Sequence, residues 1–382
     1  MSHTCICLLS DQRMQNILPL YQKGMNFDRV ILLSSCDDKG KINTRFEKIA
    51  LDLQHALGDR AKWDLFPIPV DPMDPASTEK ICCKIIRESG PDEQFTINIT
   101  GGLKPMSIGA YLAGLDSNTN LLYVDTQTET FFHYMAGEAR ADPFNLNPMR
   151  VQDILTAHGR ILDENVTRSL EKPEYDQLVD YLFSDSLASI NQLLYFQTWA
   201  RFEKFKPTGE LAIRAYTAKR LPWLFPALLD LNMVRMEGKM IYLSKSAVGF
   251  LNGGWLESFV LRALQKTNLF MDVVCRQKVA NVENELDVAC TLNGKLGIVE
   301  CKSGSLKGQQ GQGILNRLRT LKDTLGGTFA KSFLVTTTKP EYVSKEFEIR
   351  AKEYVSEVIH LDGLVNVGEI IARRLSSRSR NL

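Results

Sequence analysis

In the first 140 residues, short apolar runs alternate with stretches whose apolar residues recur at helical spacing. Apolar runs bounded by polar residues are typical of buried strands, and apolar residues three and four positions apart indicate one face of a helix. Strands that alternate with helices favour right-handed crossovers and a parallel, doubly wound sheet. The predicted elements are strands over residues 3–10, 29–35, 63–70, 95–100 and 120–126, and helices over residues 44–57, 77–89 and 106–115.

Helical patterns dominate residues 150–248, and the stretch 235–242 then predicts a short hairpin that turns at Gly238. Helices followed by a hairpin are typical of a winged helix, and a connecting or dimerising segment is the alternative interpretation. A new α/β pattern begins after Gly253-Gly254, a pair that predicts a break in the chain. It continues with a helix from Trp255, two strands joined by Asn293-Gly294, a helix over 314–325, and strands over 332–338 and 355–361.

The length of the chain, 382 residues, is too great for one ordinary hydrophobic core. We expect a doubly wound, Rossmann-like α/β unit over residues 1–145, a helical, winged-helix-like unit over 146–250 and a mixed α/β unit over 251–382. The 46 basic and 45 acidic residues nearly cancel, so any polyanionic partner must be met by a local patch.

The cysteines and the apolar runs indicate where the protein works. The eight cysteines include no CxxC pair, so neither a metal knuckle nor a disulfide framework is indicated, and reduced thiols in the cytoplasm are expected. No apolar run reaches the length of about 18 residues that a membrane span needs, and the first residues lack the pattern of a signal peptide. We therefore expect a cytoplasmic protein without membrane contact.

The Asn293-Gly294 pair sets the register of the two strands that flank it. Asn-Gly is the strongest short hairpin signal, because a type I′ turn needs positive φ at both positions. If these two residues form the turn, Asp287 lies directly opposite Glu300, and Glu285 lies directly opposite Lys302. Strand alternation then places all four charged side chains on one face of the sheet, with the neighbouring Leu286 and Val288 on the other.

Like charges directly opposite each other destabilise a sheet, because the β-carbons of such a pair are only about 4.5–5.5 Å apart. Asp287 and Glu300 therefore need a cation between them, and oxygen ligands favour a hard divalent ion such as Mg²⁺ or Mn²⁺. Lys302 can orient or deprotonate a water, or neutralise charge that develops on a phosphate. Such groups are what hydrolysis of a phosphodiester requires. A solvated hairpin face with alternating charges is the alternative.

The spacing of Asp287 and Glu300-Cys301-Lys302, with Glu257 on a preceding helix, resembles the PD-(D/E)XK nuclease superfamily. The resemblance implies a restriction-endonuclease-like fold with Asp287 and Glu300 as the principal metal ligands. It also implies that Glu257 is an auxiliary ligand and that Lys302 is the catalytic lysine. Some members place a polar residue on the following helix, where this chain has Gln309 and Gln310.

A second motif lies in residues 95–109, FTINITGGLKPMSIG, where a strand, a Gly-Gly turn and a helix follow one another. Gly101-Gly102 lets backbone N–H groups approach a ligand, and the helix N-terminus beyond it favours an anion. Lys104 adds a positive charge and Thr100 adds a hydroxyl. The motif is neither GxGxxG nor a P-loop, so hydrolysis of a nucleoside triphosphate is not indicated. A simple strand-to-helix turn is the alternative.

Residues 98–106, NITGGLKPM, are similar to the signature of CARF domains, the CRISPR-associated Rossmann-fold sensors, with Leu103 where a threonine is usual. The resemblance implies that the turn contacts a cyclic oligoadenylate lying across the two-fold axis of a homodimer. It also implies that the loop after the first strand adds contacts. The ligand-binding residues that the resemblance carries over are Ser10, Gln12, Thr100, Gly101, Gly102, Lys104 and Met106.

A CARF unit followed by a PD-(D/E)XK unit resembles the ancillary nucleases of type III CRISPR systems over nearly the whole chain. The resemblance implies a homodimeric endonuclease, activated by cyclic tetra-adenylate, that cuts single-stranded DNA, RNA or both and that could also nick duplex DNA. One alternative is a ligand-responsive transcription regulator whose winged helix, within residues 170–248, binds DNA. A second alternative is a repair or restriction nuclease that uses its amino-terminal unit only to dimerise.

Overall fold

A computed structural model describes residues 2–64, 66–90, 92–135, 137–163, 172–184, 186–200, 210–214, 219–280, 285–306, 308–355 and 357–376. The described residues form three sheets, and we call the parts of the chain that contain them the amino-terminal unit (2–163), the middle unit (172–249) and the carboxy-terminal unit (250–376). None of the described helices has both the length and the apolar character needed to cross a membrane. The eight cysteines are free thiols.

The amino-terminal sheet has the order β3-β2-β1-β5-β6-β7-β8, with β4 also paired to β2. Its strands are β1 (Ser2–Leu8), β2 (Arg29–Ser35), β3 (Lys62–Trp63), β4 (Ile68–Val70), β5 (Glu93–Asn98), β6 (Asn120–Asp125), β7 (Thr130–Met135) and β8 (Glu138–Pro143). The pairings among β1–β6 are parallel, which confirms the predicted sheet. The antiparallel hairpin β7–β8 extends it and was not predicted.

Helices cover both faces of this sheet, as a doubly wound fold requires. Alternate strand residues face opposite ways, so Cys5 and Cys7 pack toward α1, α2 and α5, whereas Ile6 and Leu8 pack toward α3 and α4. The predicted single strand over 63–70 is wrong, because Pro67 offers no N–H to a sheet and the segment forms two short strands instead. The helices are α1 (Met14–Tyr21), α2 (Thr44–Leu57), α3 (Pro75–Glu88), α4 (Lys104–Asp116) and α5 (Val151–Ala157).

The middle unit combines helices with a three-stranded antiparallel sheet of order β10-β11-β9. The predicted hairpin is confirmed, since β10 and β11 are joined at Gly238, whose φ is +58°. In chain order, a strand and a helix precede the hairpin, and the hairpin pairs with that strand. Its elements are α6 (Pro173–Ser184), α7 (Ser186–Ala200), β9 (Glu210–Arg214), α8 (Leu224–Asp230), β10 (Val234–Glu237) and β11 (Met240–Ser244).

The predicted chain break at Gly253-Gly254 is wrong. These glycines lie in a π-helical turn, Phe250–Gly254, that joins α9 (Lys245–Gly249) directly to α10 (Trp255–Lys266). Gly254 keeps helical dihedral angles, with φ −58° and ψ −26°. Buried apolar side chains on both sides of the pair, among them Leu251 and Leu256, hold the helix in the core, so tertiary packing outweighs the low helix propensity of glycine.

The carboxy-terminal sheet has the order β12-β13-β14-β15-β16. Its first three strands are antiparallel neighbours, and β14, β15 and β16 pair in parallel. The elements are β12 (Asp272–Lys278), β13 (Glu285–Leu292), β14 (Lys295–Lys302), α11 (Gly308–Leu325), β15 (Ala330–Thr336), α12 (Lys345–Tyr354), β16 (Glu357–Ile359) and α13 (Val367–Ser376).

One apolar core joins the amino-terminal and carboxy-terminal units. Leu18 and Met149 from the former belong to the same buried cluster as Ala289 and Ile298 from the latter. Hydrogen bonds cross this boundary, since Thr291 Oγ1 donates to the carbonyl of Met149 at 2.6 Å and the Val151 N–H donates to Asp272 at 2.8 Å. Burial of apolar surface and satisfied polar groups therefore fix the two units against each other.

Candidate functional site

The predicted hairpin turn and its register are confirmed over most of the two strands. Asn293 and Gly294 have φ values of +49° and +73°, as a type I′ turn requires. The ladder pairs Leu292 with Lys295 and continues to Val288 with Val299. The two strands therefore run together from the turn toward the predicted carboxylates.

The ladder stops one pair before the predicted pairing of Asp287 with Glu300, so that part of the prediction is wrong. Asp287 Oδ2 accepts a hydrogen bond from the Cys301 N–H at 2.7 Å, which places a side chain where a backbone pair was expected. Glu285 pairs with Lys278 of β12, not with Lys302.

Beyond Val288 and Val299, β13 and β14 are no longer paired, and we call this separation the splay of the hairpin. An irregularity in β12 lies beside the splay. Arg276, in the position facing Asp287, has a left-handed φ of +52° and lies outside the ladder. Leu286 and Val288 therefore do not share a face as predicted, because Leu286 packs in the core toward the amino-terminal unit and Val288 packs toward α10 and α13. The local bend moves Asp287 out of the regular alternation.

The chain's own cations pair with two of the predicted carboxylates. Glu300, only 5% exposed, forms an ion pair with Arg317 of α11. Glu257 of α10 accepts a hydrogen bond from Arg276 Nε at 2.7 Å. Arg276 also donates to the carbonyl of Gly254 and to Ser258 Oγ, so the π-helical turn and α10 both hold its guanidinium.

Burial favours the protonated form of Glu257 and of Asp287. Burial raises the pKa of Glu257 to about 7, and repulsion from Asp287 adds to the effect, while Arg276 opposes it. Burial also raises the pKa of Asp287, against the hydrogen bond from Cys301 and the charge of Arg317. Arg317 therefore pairs with Glu300 and lowers the pKa of Asp287. Its positive charge lies near the two carboxylates for which the sequence predicts a cation.

The donor set suits a hard divalent ion in kind, since Asp287 and Glu300 follow the end of the hairpin ladder and Glu257 of α10 lies near enough to Asp287 for their charges to repel. As the side chains stand, however, no group of three or more His, Cys, Asp or Glu among the described residues is placed to hold a metal. Glu257, Asp287 and Glu300 instead contact Arg276, the Cys301 N–H and Arg317. A metal would have to take the place of these internal donors.

A cleft of about 480 Å³ opens beside the carboxylates. Glu257 and Lys302 both line it, so the structure brings the helix acid and the predicted catalytic lysine to one opening. Gln310, at the start of α11, also lines the cleft, which gives one of the two glutamines noted in the sequence a place at the site. The other lining residues are Asn252, Gly253, Gly254, Cys301, Ser303, Gly304 and Ser305.

Sequence reasoning missed Arg276 and Arg317. Arg276 lies 19 residues from Glu257 in the sequence, and Arg317 follows Glu300 on a separate helix, so no local motif marks either arginine. The structure also shows why β14 carries Cys301 between Glu300 and Lys302: Cys301 packs partly buried beside the apolar core while its N–H holds Asp287. A residue that points into the core is what strand alternation demands there.

A second cavity, of about 610 Å³, lies at the carboxyl ends of the parallel strands in the amino-terminal unit. It lies where a doubly wound sheet binds its ligands. Of the predicted ligand residues, Ser10, Gly102 and Met106 line it. Ser10 Oγ is buried and has no hydrogen-bond partner among the described residues. Gln12, Thr100, Gly101 and Lys104 do not line this cavity.

The local structure explains why both residues of the Gly-Gly turn are glycines. A β-carbon on Gly101 would lie 2.1 Å from the Leu8 carbonyl oxygen, and Gly102 has a left-handed φ of +71°. Thr100 is engaged internally, because its hydroxyl donates to Asn98 Oδ1 at 2.7 Å and accepts from the Val124 N–H at 2.8 Å. Lys104 is exposed at the start of α4.

The loop after β2 was missed, although the carboxyl ends of neighbouring parallel strands meet at one edge and this loop follows the strand beside β1. It supplies charged and polar residues to the cavity. These residues are Ser35, Cys36, Asp37, Lys41, Asn43 and Thr44.

Two family models match the parts of the chain that contain these cavities. Residues 4–151 match the family model of the Card1 CARF domain, and residues 244–377 match that of the Card1-like endonuclease domain. The chain carries a CARF domain and a Card1-like endonuclease domain. The nuclease interpretation is thus supported over a regulator without catalysis. No curated protein matches the chain by sequence.

Solved structures share the fold over the whole chain. Protein VC1899 from Vibrio cholerae has a TM-score of 0.76 at 18% identity, and the match covers 99% of each chain. Can2 from Sulfobacillus thermosulfidooxidans, solved in complex with cyclic tetra-adenylate, has a TM-score of 0.72 at 20% identity and covers 98% of this chain and 97% of its own. A type III CRISPR defence DNA nuclease activated by cyclic oligoadenylate has a TM-score of 0.53 at 15% identity, covering 88% of this chain and 45% of its own.

The raised pKa of Glu257 predicts a pH-dependent stability. The folded chain holds this proton more tightly than the unfolded chain, so the associated stability is greatest below the ordinary pKa of 4.5 and is lost as pH rises to about 7. Without metal at pH 8, we expect Glu257→Gln to stabilise the endonuclease domain by on the order of 1–3 kcal/mol, with little effect at pH 4. Thermal unfolding with a chelator tests this, and Glu357→Gln on β16 is the control. Equal effects at both pH values would contradict the assignment.

Proposed function

We propose that the chain is a metal-dependent endonuclease activated by a cyclic oligoadenylate, with cyclic tetra-adenylate favoured, and that it serves type III CRISPR defence in the cytoplasm. The observation that supports this most directly is that Glu257, whose charge is repelled by that of Asp287, lines the same cleft as Lys302. The arrangement lies in the Card1-like endonuclease domain of a chain that begins with a CARF domain.

Glu257, Asp287 and Glu300 would hold Mg²⁺ or Mn²⁺ in place of their present arginine and amide contacts. Such an ion supplies an activated water and a counter-charge for the phosphate. Lys302 would position that water at the cleft, or stabilise negative charge on the phosphate oxygens. The raised pKa of Glu257 means that the free site keeps a proton near neutral pH, which metal binding would release.

The cavity of the CARF domain would bind the cyclic oligoadenylate through Ser10, the Thr100–Gly102 turn and Met106, with Gln12 and Lys104 at its margin. Two features favour such a ligand: the unpartnered buried hydroxyl of Ser10, and the Lys41 ammonium on the wall contributed by the loop after β2. Can2, whose fold this chain shares, was solved with cyclic tetra-adenylate. The residues Ser10, Gly102 and Met106 would form the inner part of the site.

A homodimer would form along α4. Ile108, Tyr111, Leu112 and Leu115 are large, exposed apolar residues at positions i, i+3, i+4 and i+7 of that helix. A helix of a globular protein buries such a stripe against a partner, and a second copy of the chain would complete the ligand site beside the turn that begins α4.

The substrate would be single-stranded DNA or RNA that enters the cleft beside Lys302. The helix that a winged helix uses to read duplex DNA, α8 (Leu224–Asp230), contains no basic or amide side chain. This composition favours a structural role for the middle unit over sequence-specific DNA binding.

Removal of Glu300 tests the catalytic site. We expect Glu300→Gln to lower Mn²⁺-dependent cleavage of single-stranded nucleic acid by about 100-fold or more, because it removes a metal ligand. Glu357→Gln, which removes another ion-paired glutamate of the same sheet, should retain activity. Cleavage is measured with and without cyclic tetra-adenylate. Unchanged cutting in Glu300→Gln would refute the site, and ligand-independent cutting by the wild type would refute the switch.

Charges on the α4 stripe test the dimer. We expect Ile108→Lys combined with Leu115→Lys to convert a dimer to a monomer in sedimentation velocity, because lysine in an apolar interface loses hydration without a partner. Leu51→Lys, at an exposed leucine on α2, is the matched control and should stay dimeric. A wild-type chain that sediments as a monomer, or a double variant that stays dimeric, would contradict the α4 interface.

A further inference from the structure

The Asn293-Gly294 turn, which joins β13 to β14, packs against the CARF domain. Gly294 lies so close to that domain that a β-carbon on it would stand 2.5 Å from Leu18 Cδ2 of α1 and 3.1 Å from Leu146 Cδ1. Both leucines are buried in the core shared by the two domains. The turn therefore fits against α1 without spare room, and a movement of α1 cannot leave it unaffected.

A mostly buried ion pair fixes the same contact. Lys295 Nζ, beside the turn, binds Glu129 of the CARF domain, and the two side chains are 14% and 16% exposed. Asn293 Nδ2 also donates to Glu129, at 3.4 Å. Glu129 itself has a left-handed φ of +53° in the tight turn between β6 and β7, so its backbone is closely constrained. Polar and apolar contacts thus both hold the hairpin tip.

The other side of α1 is tied to the ligand cavity. Asn98 Oδ1 accepts from both the N–H and the hydroxyl of Thr100, at 3.1 and 2.7 Å. Asn98 Nδ2 donates to the Gln15 carbonyl at 2.9 Å and to Asn16 Oδ1 at 3.3 Å, and both of these residues lie on α1. The loop with Ser10 also leads directly into α1. The loop with Ser10 and the turn with Thr100, which the proposed function places at the ligand, therefore meet at one short helix.

The hairpin connects this helix to the carboxylates. Asp287 and Glu300 each lie six residues from the turn, a distance of about 20 Å along an extended strand. Both strands are paired on both sides, β13 with β12 and β14 with β15, so the hairpin moves as a stiff body. Its weakest point is the splay at Asp287, where the ladder ends.

We propose that α1 and the Asn293-Gly294 turn are the mechanical link through which a ligand in the CARF cavity controls the catalytic carboxylates. The inference rests on the proposed function and names its regulation. A ligand that draws in the Ser10 loop and the Thr100 turn shifts α1, Leu18 then displaces the hairpin tip, and the splay at Asp287 changes. The ligand favours the active arrangement by its tighter binding to that arrangement.

Matched glycine substitutions test the link. Gly294→Ala places a methyl group against Leu18 and strains a left-handed turn. Gly238→Ala imposes the same backbone strain on the hairpin of the middle unit, where nothing lies within 4 Å. We expect Gly294→Ala to reduce stimulation by cyclic tetra-adenylate at least about tenfold with basal cleavage retained, while Gly238→Ala keeps full stimulation. Full stimulation in Gly294→Ala, or equal loss in both variants, would overturn the link.

A second pair separates a lost link from a misfolded domain. Lys295→Met keeps the length of the side chain and removes its charge, and Lys84→Met does the same at an exposed lysine that pairs within α3. We expect Lys295→Met alone to lose stimulation, with a ligand-induced rise in melting temperature that shows an intact CARF domain. Lys295→Met with unaltered stimulation would overturn the link. A wild-type chain that cuts equally without ligand would overturn the proposed switch and the link together.

Discussion

Burial of three carboxylates, Glu257, Asp287 and Glu300, with repulsion between the first two, is the constraint around which the carboxy-terminal unit is organised. Two acids at the end of one hairpin and a third on α10 need compensating charge, and burial makes that need greater. Arg276 from β12 and Arg317 from α11 supply it, together with the N–H of Cys301. The elements α10, β12 and α11 must therefore converge on the splayed end of the hairpin, and this convergence also forms the cleft beside Lys302.

Local patterns predicted the parts of this arrangement that local physics decides. Asn293-Gly294 identified the turn and the register as far as Val288 and Val299, because positive φ at two positions leaves few alternatives. The end of the ladder was not predictable, since it depends on Asp287 competing with the backbone for the Cys301 N–H. Gly253-Gly254 was misread for a related reason: burial of its neighbours, known only from the fold, keeps the helix continuous.

In the CARF domain, the Gly-Gly motif led to the correct edge of the sheet but to only part of the cavity wall. Gly101 and Gly102 are required by close backbone approach and by positive φ, which a sequence can indicate. The loop after β2 carries no such signature, and its role follows only from strand order. Gly294 packs against Leu18, which is far from it in the chain. This contact therefore could not be predicted from the sequence.

In the proposed divalent-cation site, Arg317 supplies positive charge beside the carboxylates. The most direct test is the dissociation constant for Mn²⁺, measured by electron paramagnetic resonance at pH 8, above the pKa of Glu257 of about 7. Arg317→Met should bind Mn²⁺ more tightly than the wild type, because a competing cation is removed, while Arg374→Met on α13 should match the wild type. Unchanged or weaker binding in Arg317→Met would contradict the proposed cation site.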